Sequence, residues 1–339
     1  MLILTTYEEI LSAGWEKLSI SSSYRTWFQT PEAYRFYASL PEEMQPFAVG
    51  VVEDSEARTL TGVIVGYTTV EKNALKQFFT RRAIIIGGPL LHQDISIEAL
   101  TALLNAVHQV NHHPIYTETR NFNDYSSFRA VFEAAGWEYH AHLNFHVDTT
   151  TMDTVNANLD KNRKRNIRVS LRDGATIIER PTLSQVRAYY TILQELYATK
   201  IKTPLFSWNF FKTLYHCANA HFLLIAYQGE IQGGITCVGM PDTSVYEWFV
   251  CGKDGQYKNI YPSALATYAG LKYAAEHNYP RFDLMGAGKP DEAYGVRDFK
   301  ARFGGKEVEN GRFLYINKRR LYCIGKTYMH TLHTIGNTK

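Results

Sequence analysis

The chain lacks the features that would tie it to a membrane, an oxidising compartment or a common cofactor. No apolar run nears the roughly 20 residues that cross a bilayer. The nearest, "RRAIIIGGPLL", is a strand-length burst broken by glycines. The opening "MLILTTYEEILSAGW" has no basic lead, and Glu8 and Glu9 stand where an export signal stays apolar. A cytoplasmic location is expected, with membrane contact at most peripheral. The four cysteines, Cys217, Cys237, Cys251 and Cys323, show neither a close pair nor zinc spacing, which suits reduced thiols rather than a disulfide framework. Net charge is only +3 with 20% charged residues, so no whole-surface field draws in nucleic acid or lipid, and any such partner is held by a local patch.

Motifs for familiar chemistry are missing as well. There is no G-x-x-x-x-G-K-[ST], no G-x-S-x-G and no H-E-x-x-H. In "GAGKP", Gly286 to Pro290, the lysine is followed by proline and not by a helix-opening hydroxyl residue. His140, His142 and His146 fall at even spacing in one strand-like run. Strung along about 20 Å of strand they cannot share one ion, so no metal site is expected and no cofactor is implied.

What is present is enough for two cores. At 339 residues and 45% apolar content, the chain suits two domains of about 150 residues each. Strand-like runs "PFAVGVV", "LTGVIVGYTTV" and "RAIIIGG" precede an amphipathic helix, "SIEALTALLNAVHQVN", with Ser96 as its cap. Strand "IYTETR", helix "DYSSFRAVFEAAGW" and strand "EYHAHLNFHVD" follow. The second half repeats that rhythm, closing with helix "PSALATYAGLKYAAEH", strand "RFDLM", a basic aromatic helix and strand "GRFLYINK". Phe132 with Gly136 lines up with Phe299 with Gly304, given one residue of slack, so the halves read as a tandem duplication of α/β (α+β) units. Between them Lys161, Arg165, Arg168 and Arg172 recur at i, i+4, i+7 and i+11. On a helix that is one positive stripe, either a phosphate track or a solvated face.

Three segments, "NRKRNIRVSLRDGATI", "GQYKNIYPSALATYAGLKYAAEHNYPRFDLMGAG" and "GVRDFKARFGGKEVENG", together resemble the FemABX family of aminoacyltransferases within the GNAT superfamily. "FQTPEAY" and "IIIGGPL" extend the likeness into the first half. The resemblance implies two tandem GNAT-like domains, each a mixed twisted sheet flanked by helices. Residues 1–150 would form the acceptor domain, with 318–339 packing back on it, and 151–317 the transfer domain. It implies an aminoacyl-tRNA donor and a UDP-linked or lipid-linked peptidoglycan precursor whose amine accepts the amino acid.

It also places Phe299 and Lys300 at the reaction centre, where the cation would hold the donor end or the developing oxyanion. Asp283 at a strand end and Glu247 on a middle strand are possible proton acceptors, desolvation of the amine or a base supplied by the substrate is equally open, and the residues do not choose among them. Arg35 falls where the family carries a basic residue for the precursor's diphosphate, and Lys202 near a second such position. Arg302, Tyr246, Tyr257 and Tyr261 complete the candidate substrate contacts. The family's Arg-Gly-Pro turn and Asp-Pro are replaced here by Gly87-Gly88-Pro89 and Arg120-Asn121, which leaves the acceptor open. "GQYKNIYPSA" carries Tyr261 and Pro262 where a coenzyme A turn has small residues and free N–H groups. Acyl-CoA transfer to a sugar precursor and a non-catalytic precursor-binding module stand as the alternatives.

Overall fold

A computed structural model describes residues 1–53, 59–71, 73–201 and 203–325. The chain divides into two compact units, Met1–Ala141 with the segment from Asn310 onward, and His142–Glu309. Each is built on one mixed sheet flanked by helices.

In the first unit the strands run in the order Leu2–Leu4, Met44–Val52, Leu60–Thr69, Arg82–Gly87, Tyr116–Asn121, Arg312–Ile316 and Glu138–His140, with Leu90–Leu91 beside Leu60–Thr69. All neighbours are antiparallel except Arg82–Gly87 and Tyr116–Asn121, which pair in parallel. The helix Ile97–Val110 makes that crossover. Ser96 caps it, its Oγ accepting the Ala99 N–H at 3.1 Å, and Leu100, Leu103, Leu104 and Val107 enter the core. The central strands are apolar on both faces because helices cover both.

The second unit repeats this plan in the order Lys306–Glu309, Leu143–Asp148, Arg281–Asp283, Ser244–Gly252, Glu230–Met240, Ala220–Tyr227 and Thr176–Ile178. Its one parallel pair, Ser244–Gly252 with Arg281–Asp283, is joined by the helix Pro262–Glu276. The helix sits close because Gly270 faces Phe282, where a Cβ would lie 2.7 Å from the ring. Phe145, Val147, Ile235, Val245, Leu265 and Phe282 form the core there.

Two strands join the sheet of the other half of the sequence. "EYHAHLNFHVD", expected as one strand, breaks at Ala141–His142: Glu138–His140 stays in the first unit, and Leu143–Asp148 enters the second unit's sheet. In return Arg312–Ile316, expected in the second domain, pairs with Tyr116–Asn121 and Glu138–His140. Each borrowed strand occupies the same place, next to the second strand of the parallel pair. Strand propensity says that a segment is extended, whereas its partner is set by distant neighbours. His140, His142 and His146 therefore do not share one strand face, and no cluster of metal-ligating residues exists among the described residues. Nor is any described helix long and apolar enough to cross a membrane.

Near the end of the described chain, the Lys318 N–H donates to Ile115 O at 2.9 Å, and the Tyr322 ring lies edge-on to Tyr116 at 5.6 Å. The rest of the expected C-terminal packing falls outside the described residues, as does Lys202.

Candidate active site

The two parallel strand pairs differ in one respect that locates the site. In the first unit, pairing continues for six positions, from Arg82–Tyr116 to Gly87–Asn121. In the second unit it spans only Val245–Phe282 and Tyr246–Asp283. Beyond Asp283 the chain leaves the ladder through Met285, Gly286 and Gly288, all at positive φ of 51°, 92° and 80°. The neighbouring strand also bulges there: Cys237 faces Glu247 but Thr236 faces Phe249, so Trp248 is the extra residue of the bulge. A bulge re-aims side chains, and Glu247 is directed toward the helix Pro262–Glu276, where Thr267 Oγ1 donates to its Oε2 at 3.2 Å.

Parting strands leave backbone carbonyls without ladder donors, and Lys300 supplies them. This lysine projects from the short helix Gly295–Ala301 and is 7% exposed. Its Nζ donates to Leu284 O and, at 2.9 Å, to Gly286 O. The carboxylate Oε1 of Glu247 lies 3.6 Å away. Burial pushes the Glu247 carboxyl above the usual range, with Lys300 and Thr267 pulling against it.

A second buried group adjoins through the same loop. The Gly286 N–H donates to Asn144 Oδ1 at 3.0 Å, and Asn144 Nδ2 donates to Asp283 Oδ1 at 2.8 Å. The Met285 N–H donates to that same carboxylate oxygen at 2.8 Å. The other oxygen, Oδ2, stands 3.1 Å from His146 Nε2. Asp283 is wholly buried. Burial pushes its carboxyl up, but His146 and Asn144 outweigh that and hold it below the ordinary value.

Phe299 is half-buried and roofed by a cation. The Arg163 guanidinium lies 4.1 Å from its ring centre and 4.9 Å from that of Phe303. Arg297 staples the glycine loop to the helix, with Nε donating to Ala287 O at 2.9 Å and Nη2 to Lys289 O. Neither arginine stood out in the sequence. Arg163 falls off the periodic stripe, and only its odd register among exposed cations hinted at a buried role. Lys161, Arg165, Arg168 and Arg172 are all exposed, as a stripe requires.

The duplicated helix in the first unit provides a contrast. There "FRAVF" corresponds to "FKARF", and the residue matching Lys300 is Arg129, half-exposed and paired with Glu133 at 2.8 Å on the surface. Phe132 corresponds in burial to Phe303, both being fully buried, so the two halves align Phe132 with Phe303 and not with Phe299.

The remaining sequence candidates are dispersed. Arg35 is exposed in the first unit, its Nη1 donating to the Tyr7 hydroxyl at 2.6 Å. Tyr246 is fully buried and offers no surface to a substrate; burial raises its hydroxyl pKa well above the usual value. Tyr257 is half-buried against Tyr227, ring centres 5.0 Å apart. Tyr261 precedes the helix Pro262–Glu276, its N–H donating to Ser170 Oγ at 3.0 Å. Arg302 is exposed, and its carbonyl accepts from the Asp160 N–H at 3.0 Å.

Residues 231–328 match the model of the FemAB family. No curated protein sequence matches the chain significantly. Among solved structures, FemX superposes with a TM-score of 0.71 at 12% identity, covering 96% of this chain and 99% of that one. The C-terminal domain of a protein assigned as a lysylphosphatidylglycerol synthetase, from Agrobacterium fabrum, gives 0.55 at 12% identity, covering 91% and 92%. A tandem GNAT protein from the clavulanic acid biosynthesis pathway gives 0.55 at 9% identity, covering 93% and 98%. The expected tandem GNAT-like fold is thereby borne out.

Proposed function

We propose that the chain, whose residues 231–328 match the FemAB family model, is an aminoacyltransferase that moves an amino acid from aminoacyl-tRNA to an amine of a peptidoglycan precursor. The observation that carries this reading is the buried Lys300–Glu247 pair at the point where the parallel strands part, inside the stretch that matches the family. The ester of an aminoacyl-tRNA is already activated, so the protein has to orient a neutral amine and stabilise a tetrahedral oxyanion. Lys300 suits the second task. Its ammonium is held by two carbonyls and a carboxylate, so the positive charge is in place before the reaction and does not reorganise during it. Phe299, the preceding residue of the helix, is stacked under Arg163.

The start of the helix Pro262–Glu276 argues against an acyl-CoA donor. A diphosphate there needs free backbone N–H groups. The Ser263 N–H already donates to Asp254 Oδ1 at 3.2 Å and the Tyr261 N–H to Ser170 Oγ. A carboxylate at that place repels phosphate.

The test is incubation with total charged tRNA and a panel of nucleotide-linked and lipid-linked muropeptides, together with an anionic phospholipid as competing acceptor. Mass spectrometry should show aminoacyl additions on a muropeptide amine. Transfer from acetyl-CoA with none from aminoacyl-tRNA would overturn the donor, and product on the phospholipid alone would overturn the acceptor.

A further inference from the structure

We infer that His146, held by Asp283, is the base that takes the proton from the attacking amine. This rests on the proposed aminoacyl transfer and identifies a residue that the sequence raised only as a member of a discarded metal face. An amine becomes an ammonium as it attacks the ester carbonyl, and its proton must leave for the tetrahedral intermediate to collapse forward. Three ionisable groups adjoin Lys300, directly or through a run of hydrogen bonds and charge contacts. Glu247 is 3% exposed, with Oε2 on Thr267 and Oε1 facing Lys300. Asp283 is 0% exposed, with Oδ1 taken by Asn144 and Met285 and Oδ2 buried 3.1 Å from His146 Nε2. Of the three, only the His146 side chain reaches the surface, at 17% exposure.

The arrangement selects one ring nitrogen. His146 and Asp283 are cross-strand partners, so their side chains emerge on one face of the sheet. Nε2 and Asp283 Oδ2 are buried 3.1 Å apart, outside hydrogen-bond geometry and with no other partner; a small ring rotation with the proton on Nε2 would pair both atoms and leave the lone pair on Nδ1. On its other flank His146 is paired in register with Lys306, which is exposed. A carboxylate behind an imidazole fixes its tautomer and stabilises the imidazolium. Asp283 is thus a positioning residue. A single run of contacts, from Lys300 to Gly286, Asn144, Asp283 and His146, ties this base to the fixed cation.

The step balances without a further reactant. The amine nitrogen forms a bond to the ester carbon, the ammonium proton passes to Nδ1, and collapse breaks the bond to the ribose oxygen. That oxygen leaves as alkoxide and takes the proton back from the imidazolium.

The experiment compares wild type, H146Q and H146A in single-turnover transfer from aminoacyl-tRNA. H146Q keeps a donor for Asp283 but has no base. Both variants are expected to bind deacylated tRNA as wild type does and to lose about 10²–10⁴-fold in rate. Added imidazoles should restore H146A, more so as their basicity rises, with no change in melting temperature. Wild-type turnover in H146Q, or rescue that follows melting temperature and ignores basicity, would overturn the role of His146 and leave the transfer reading intact. A wild-type protein silent toward every muropeptide would bring down that reading together with this one.

Discussion

At Lys300 one ammonium serves two carbonyls and one carboxylate inside the fold, so the residue cannot be removed without consequence for its partner. Taking away the cation strands Glu247 as a buried, unpaired acid, and breaking such a pair costs roughly 3–5 kcal/mol. K300A is therefore expected to lose transfer and also to unfold at clearly lower urea. The double variant K300M/E247Q should recover most of the stability and none of the transfer, which urea titration and a transfer assay read separately. Glu247 holds its proton more tightly when folded than unfolded, since burial raises its pKa. Its own contribution to stability thus declines as pH climbs from the ordinary carboxylate value through the raised one. The Phe-Lys pair was legible because it is a local sequence motif. Burial of the lysine was not, because its acceptors sit at Leu284, Gly286 and Glu247, on other elements.

At the scale of elements, the helix Lys161–Arg172 presents two faces with different work. Arg163 turns inward onto Phe299 and Phe303, while Lys161, Arg165, Arg168 and Arg172 face solvent. Reversing Arg165 and Arg168 to glutamate should weaken tRNA binding and lower the slope of log affinity against log salt by about one for each phosphate no longer neutralised. The melting temperature should hold, and an unchanged slope would show the stripe to be a solvated face only. The caps were readable in advance because they are local. Thr30 accepts the Ala33 N–H at 3.2 Å ahead of Pro31, and Ser96 does the same for Ala99. The break inside "EYHAHLNFHVD" was not, since both halves of it are good strand sequence.

At the scale of the whole molecule, the exchanged strands make the two halves of the sequence interdependent. Arg312–Ile316 completes the first unit's sheet between two partners, and Phe313 stacks on Phe132 with ring centres 3.9 Å apart. A chain ending at Gly311 is expected to lose the cooperative unfolding of the first unit, although every residue of that unit's N-terminal part remains. Hydrogen exchange at Tyr116–Asn121 would report the loss directly. Each unit also carries a histidine held neutral by burial, His108 and His221, both with pKa pushed down to about 4 from near 6.5. The unfolded chain takes up those protons first, so stability should fall as pH drops from about 6.5 toward 4. H108F is expected to flatten part of that fall in denaturant titrations across the range.

The residues alone determined the α/β rhythm, the duplication, the capped helices and the Phe-Lys segment, because each is written in periodicities of a few positions. Tertiary structure decided which sheet each strand entered, that the parallel pair parts in the second unit only, and that Asp283 meets Asn144, 139 positions away in the chain, and His146 beside it. The physical reason is one of range. Backbone conformation follows from immediate neighbours, whereas the burial of a charge and the partner that compensates it are settled only when distant segments have packed.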